Sequence, residues 1–68
     1  MKGGDILMMG RKILLRRKKL KLTQDELSKK VGVTRAVVTA WELGKANPRS
    51  DKLKPLAKAL DCQVTDLL

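Results

Sequence analysis

Apolar residues recur along this chain at helical rather than strand spacing, and capping residues and glycines divide the pattern into five segments. Residues 1–8 carry Gly3 and Gly4 with no sustained periodicity and read as a flexible leader, so the domain is expected over residues 9–68. A first helix is expected from about Met9 to Lys21. Its apolar stripe is Ile13, Leu14 and Leu20, with Leu15 flanking, and Arg11, Lys12, Arg16, Lys18 and Lys19 crowd the remainder. Thr23, with Glu26 three residues on, is a capping box that starts a second helix; Leu27 and Val31 form its buried pair and Gly32 ends it. Thr34 caps a third helix to about Leu43, with Val38 and Trp41 inward and Gly44 at its close.

The Asn47-Pro48 pair marks a loop. Ser50 is expected to cap a fourth helix built on Leu53, Leu56, Ala57 and Leu60, which Pro55 should trim or kink. Asp61-Cys62-Gln63 breaks the pattern, and Val64 to Leu68 reads as a short fifth helix. No strand pattern competes. The expected fold is all-α, a compact five-helix domain.

Charge narrows the partner. A chain of 68 residues with a formal net charge of +9 suits a polyanion, and both nucleic acid and an anionic membrane surface qualify. Trp41 is the sole aromatic residue, so the stacking platforms of single-strand and RNA readers are missing, which favours duplex. Cys62 stands alone, which excludes an intramolecular disulfide, and the lack of histidine excludes a Cys/His zinc site; no metal and no cofactor is expected. No apolar run is long enough to span a bilayer, and the N-terminal patch lacks an adequate signal-peptide core. An intracellular, cytoplasmic protein is expected.

The third helix carries the recognition argument. Viewed as a wheel at roughly 100° per residue, with Val38 and Trp41 inward, it turns Ala36, Thr39, Ala40 and Leu43 outward, and Arg35 flanks that face at the helix start. Either these alanines serve helix propensity on an ordinary exposed face, or the helix presses against base edges. In the second case Arg35 can fork onto guanine, Thr39 can hydrogen-bond or offer its methyl, and Ala36 and Ala40 can pack on thymine methyls. Thr23, Gln24 and Thr34, at helix starts, are candidate phosphate contacts, with Gln24 foremost. Lys45 and Arg49 in the following loop either reach the sugar-phosphate backbone or are solvated charges. Arg17 falls on or beside the apolar stripe and Glu42 sits beside Trp41; an ion pair between them would pin the first helix to the third. Cys62, at an interhelix corner, reads as a small buried group rather than a reactive thiol.

The run GRKILLRRKKLKLTQDELSKKVGVTRAVVTAWELGKANP, followed by LKPLAKALDCQVTDLL, resembles the Cro/CI-type (XRE-like) helix-turn-helix family, and within it the DNA-binding domains of lambdoid phage repressors. TQDEL, VGVT, Val38-x-x-Trp41-Glu42, Gly44, Pro48 and LAKAL carry the resemblance, which spans about Gly10 to Leu68. It implies a lambda-repressor-like fold, a phosphate contact at Gln24, base-facing Arg35, Ala36, Thr39 and Ala40, and an internal Arg17–Glu42 pair. It also implies a homodimer on a two-fold operator in double-stranded DNA, and the Leu67–Leu68 end is a candidate dimer contact. Arg16 and Lys21 depart from the family, which commonly has an apolar residue and a glycine there. Ala36 and Ala40 replace longer polar side chains, shifting weight to Arg35, methyl contacts and DNA shape.

The leading function is therefore a sequence-specific transcription regulator. An antitoxin-like, protein-binding use of the same fold is the alternative, and a membrane-surface role for the first helix conflicts with its apolar stripe being used in the core. An enzyme is not expected. The sequence holds no histidine, no carboxylate cluster and no glycine-rich phosphate loop, and Asp25, Glu26, Glu42 and Asp51 have structural uses.

Overall fold

The computed structural model describes the backbone of residues 4–68 and the side chains from Met9 onward. Among the described residues there are five helices and no strand: α1 (Gly4–Lys19), α2 (Gln24–Val31), α3 (Arg35–Glu42), α4 (Ser50–Ala59) and α5 (Val64–Leu67). The first helix begins at Gly4, earlier than its apolar periodicity indicates, and residues 1–3 of the expected leader lie outside the described residues. Leu7, Met8 and Met9 are good helix formers, and once Gly10 is fixed in the fold, extending a helix backwards costs little per residue.

The face that α1 turns inward is Gly10, Ile13 and Arg17, with Leu14 half-buried. Leu20, expected on that stripe, is 40% exposed. The chain leaves the helix at Lys19 and turns through Lys21 in the left-handed region (φ 59°), so Leu22 and not Leu20 packs against the core. Gly10 is a point of close approach between α1 and the end of α3. A β-carbon there would sit 2.7 Å from the Glu42 carbonyl oxygen and closer still to that of Trp41.

Ile13, Leu27, Val38, Leu56, Leu60 and Leu67 are essentially without solvent exposure, and Val31, Trp41 and Ala57 complete the core. Each helix thus contributes at least one core residue. Burial of a side chain of this size stabilises by roughly 1.5–3 kcal/mol, which is why a four-residue α5, too short to persist alone, is held in place by Leu67. With Leu67 interior, only Leu68 of the candidate Leu67–Leu68 contact stands at the surface.

Four helices close on a left-handed residue: Lys21, Gly32, Gly44 and Asp61. After α3, Lys45 N–H donates to the Ala40 carbonyl (2.9 Å) and Gly44 N–H to that of Trp41 (3.2 Å), satisfying carbonyls that the helix end leaves open. The same pair of bonds recurs after α1 and α4, where lysine and aspartate occupy the strained position. At the start of α4 the cap is Arg49, not Ser50: the Arg49 carbonyl accepts from Lys52 and Leu53, and no side chain caps the helix. Pro55 lies inside α4 without ending it. It falls in the second turn, where its missing N–H deprives only the Asp51 carbonyl, close to the exposed N-terminus.

Candidate nucleic-acid interface

Thr23 builds the start of α2 as a full capping box. Its hydroxyl accepts from Glu26 N–H (3.0 Å), and the Glu26 carboxylate accepts from Thr23 N–H (2.8 Å). Thr34 does the corresponding work for α3, its hydroxyl accepting from Val37 N–H at 3.3 Å. A hydroxyl that accepts in this way keeps its own proton, so both threonines retain a donor for an anion at the helix start. Gly32, at φ 86°, makes the turn between α2 and α3, and its N–H and that of Val33 share the Ser28 carbonyl.

This turn brings the two helix starts together around an open groove bounded by Arg17, Lys21, Leu22, Thr23, Gln24, Asp25 and Arg35. Arg35 is exposed at the first position of α3, and Ala36 is exposed beside it; Thr39 and Ala40 are half-buried. Lys45 and Arg49 are exposed in or at the end of the loop after α3 and do not line the groove. Leu43, at the far end of the outer face, is 54% exposed.

Behind the groove runs a connected polar network. Arg17 meets Glu42 through two bonds, Nε to Oε2 at 2.6 Å and Nη2 to Oε1 at 3.0 Å, while its Nη1 donates to the Leu22 carbonyl at 2.8 Å. Both side chains are nearly buried, with 10% and 5% exposure. The pair joins α1 to the end of α3 and, through Leu22, to the strained turn before α2. Gln24 extends the network: its amide nitrogen donates to Glu42 Oε1 (2.9 Å), and its amide oxygen accepts from the Thr39 hydroxyl (3.0 Å). A carboxylate can only accept, so this amide can point only one way. One Gln24 N–H hydrogen remains for an outside acceptor such as phosphate.

Periodicity did not reveal this role of Gln24, because the contact depends on three helices meeting. Nor did it reveal Ser28, buried with its hydroxyl donating to the Asp25 carbonyl (2.7 Å), or the close approach at Gly10, for which a lone glycine inside a helical pattern was the one available sign. Among the described residues, no buried side-chain polar atom lacks a partner, and no group of histidine, cysteine, aspartate and glutamate side chains could hold a metal ion. Burial raises the Cys62 thiol above its ordinary range; Arg16 opposes this, and Asp66 and Asp61 reinforce it. No helix among the described residues is long and apolar enough to cross a membrane.

Two capped helices joined by a glycine turn, the second presenting a small-residue face beside an arginine, define a helix-turn-helix domain. The chain belongs to the helix-turn-helix family, whose pattern matches residues 13–67. It is 43% identical over 61 residues to the repressor protein C2 of Salmonella phage P22, covering 90% of this chain and 28% of that protein. It is 39% identical over 62 residues to the HTH-type transcriptional regulator DicA of Escherichia coli K12, covering 91% of this chain and 46% of the regulator. The chain therefore spans about a quarter to a half of the length of these relatives.

Solved structures agree with this assignment. The P22 c2 repressor in complex with a synthetic operator superimposes with a TM-score of 0.88 at 43% identity, covering 90% of this chain and 92% of that one. The restriction-modification controller protein C.AhdI from Aeromonas hydrophila gives a TM-score of 0.89 at 28% identity over 96% and 98% of the two chains.

Proposed function

We propose that this protein is a sequence-specific, double-stranded-DNA-binding transcription regulator of the phage-repressor type. It acts in the cytoplasm and lays α3 in the major groove of a two-fold operator. The observation that carries this reading is the outer face of α3, where Arg35 and Ala36 are exposed and Thr39 and Ala40 half-exposed, with no acidic side chain among them. Such a face fits closely to base edges and repels no phosphate. Arg35 supplies a fork for guanine O6 and N7. Thr23, Thr34 and the remaining N–H of Gln24 supply phosphate contacts at the helix starts, and Lys45 and Arg49 supply charge at the far side. A formal net charge of +9 provides the sequence-independent attraction. The P22 c2 repressor, a relative of matching fold, has been crystallised with an operator, which further supports this reading.

A homodimer on DNA follows from the same reading. One α3 reads a half-site, and two copies about 34–36 Å apart would read a palindrome. No enzymatic role is included.

Selection from a random duplex library at about 150 mM salt tests the proposal, followed by titration of the winner against scrambled DNA. The expected result is an enriched palindrome bound about 10³-fold or more above scrambled duplex. Uniform weak binding that fades steeply with salt would reduce the protein to a phosphate binder and turn attention to a protein partner.

A further inference from the structure

The Thr39 hydroxyl faces two acceptors inside the protein, the Gln24 amide oxygen at 3.0 Å and the Arg35 carbonyl at 3.1 Å. A hydroxyl has a single proton, and either acceptor claims it. The amide oxygen is available because Gln24 is anchored at its other end by Glu42, which Arg17 holds in turn. The one polar side chain between Ala36 and Ala40 on this face therefore has no proton to give a base. What it retains for a base is a methyl group, set between two alanines, and an oxygen lone pair that can accept but not donate.

We infer that Thr39 is a specificity-determining residue that reads a thymine methyl, not a hydrogen-bond acceptor. The inference rests on the regulator reading above and names the edge this part of α3 recognises: a major-groove surface carrying a C5 methyl. Guanine, which offers only acceptors there, is discriminated against at the Thr39 position, and Arg35 is left as the guanine-reading group.

The test uses the whole chain and the duplex it selects. Thr39→Val keeps the methyl and removes the hydroxyl; Thr39→Ser does the reverse. Thr39→Val is expected to bind within about twofold of the wild type. Thr39→Ser is expected to bind about fourfold more weakly, the factor that one buried methyl-sized group carries. Replacing thymines singly with deoxyuracil removes only the C5 methyl and requires no altered protein. At one position in each half-site the wild type and Thr39→Val should lose a similar factor, while Thr39→Ser shows no further loss.

A Thr39→Val protein weaker than Thr39→Ser would overturn the inference, and so would wild-type binding unaffected by deoxyuracil at every thymine. It would also fail if Thr39→Ser kept every deoxyuracil loss in full. Each of these results leaves sequence-specific binding intact and so spares the regulator reading. A wild-type chain that enriches no duplex overturns that reading, and this inference with it.

Discussion

Arg17 and Glu42, 25 positions apart in sequence, meet in a two-bonded ion pair that is almost closed to solvent. The geometry is good and the surrounding polar groups are matched: the Leu22 carbonyl takes the third Arg17 bond, and Gln24 donates to the same carboxylate. Such a pair offsets its own desolvation without greatly exceeding it, so its effect is to fix α1 against the end of α3 in one orientation. Removing one partner is a different matter. Glu42→Ala leaves a guanidinium buried without its counter-charge and should cost about 3–5 kcal/mol, whereas an apolar replacement of both residues with similar volume should be nearly neutral. Urea denaturation of the single and double variants measures both; an unchanged midpoint for Glu42→Ala would show that the pair does not matter to stability.

Gly10 should resist substitution despite lying within a helix. Alanine in a helix interior ordinarily gains about 1 kcal/mol over glycine. Here the added carbon would meet the Trp41 and Glu42 carbonyl oxygens, and α1 must move away from α3 to accept it. Overpacking of this kind costs about 1–3 kcal/mol, so the net sign should be destabilising. A Gly10→Ala protein that melts higher than the wild type would show that α1 packs more loosely than this.

Lys21 should behave oppositely. It holds φ 59° at the end of α1, a conformation that costs a residue with a β-carbon roughly 1–2 kcal/mol and glycine almost nothing. Part of that gain is offset by the greater freedom of glycine in the unfolded chain. Lys21→Gly should therefore stabilise by up to ~1 kcal/mol, a rise in Tm of about 4–8 °C for a domain of this size. Thermal melts at matched ionic strength, with Lys21→Ala as the charge control, decide whether strain or charge is responsible.

Residue by residue, legibility followed the range of the interaction. Thr23 with Glu26, Thr34 and Gly32 could be placed from sequence because each acts within one turn of the backbone. Leu27, Val31, Val38 and Trp41 followed from periodicity, since a short amphipathic helix has one face to bury. Leu20 and the start of α4 were misplaced because each lies where the chain changes direction, and periodicity says nothing about the direction it takes. Lys21 carries no sign of left-handed backbone in its residue type, and Asp61 carries only the weak one that aspartate visits that region more often than most residues. On the candidate interface, the outward set of α3 was visible on a wheel, but the commitment of Gln24 and Thr39 to an internal network was not, because it is fixed by the packing of α1, α2 and α3 together.

Cys62 should be a slow nucleophile. Burial raises its pKa, and the nearby Arg16 only partly opposes this, so the thiolate is scarcer at neutral pH than in an unfolded chain. An acid whose folded pKa is raised stabilises the fold below its unfolded pKa, and that contribution disappears as pH rises through the folded value. Stability should therefore fall on the alkaline side of the ordinary thiol range, and Cys62→Ala should remove that part of the decline. Alkylation by iodoacetamide in native buffer and in denaturant compares the two states directly; equal rates would contradict a protected thiol.

Arg35 is the residue on which operator choice should depend most. It is exposed at the first position of α3, on the rim of the groove where the two helix starts converge, and the rest of the outer face offers alanines and a threonine whose proton is held inside. An arginine in that position can make the bidentate contact to guanine that discriminates by about 1–3 kcal/mol against other bases. Arg35→Ala should thus weaken binding to the selected operator by that amount and flatten the preference at one base pair of each half-site. Affinity for scrambled duplex should fall far less, by the share due to removing a single charge. Gln24→Ala supplies the contrast, because taking away a phosphate grip at the start of α2 weakens all sequences alike. Titrating both variants against operator, single-base variants and scrambled DNA at one salt concentration separates the two roles. Equal losses for Arg35→Ala on operator and scrambled DNA would mean that it grips the backbone and reads no base.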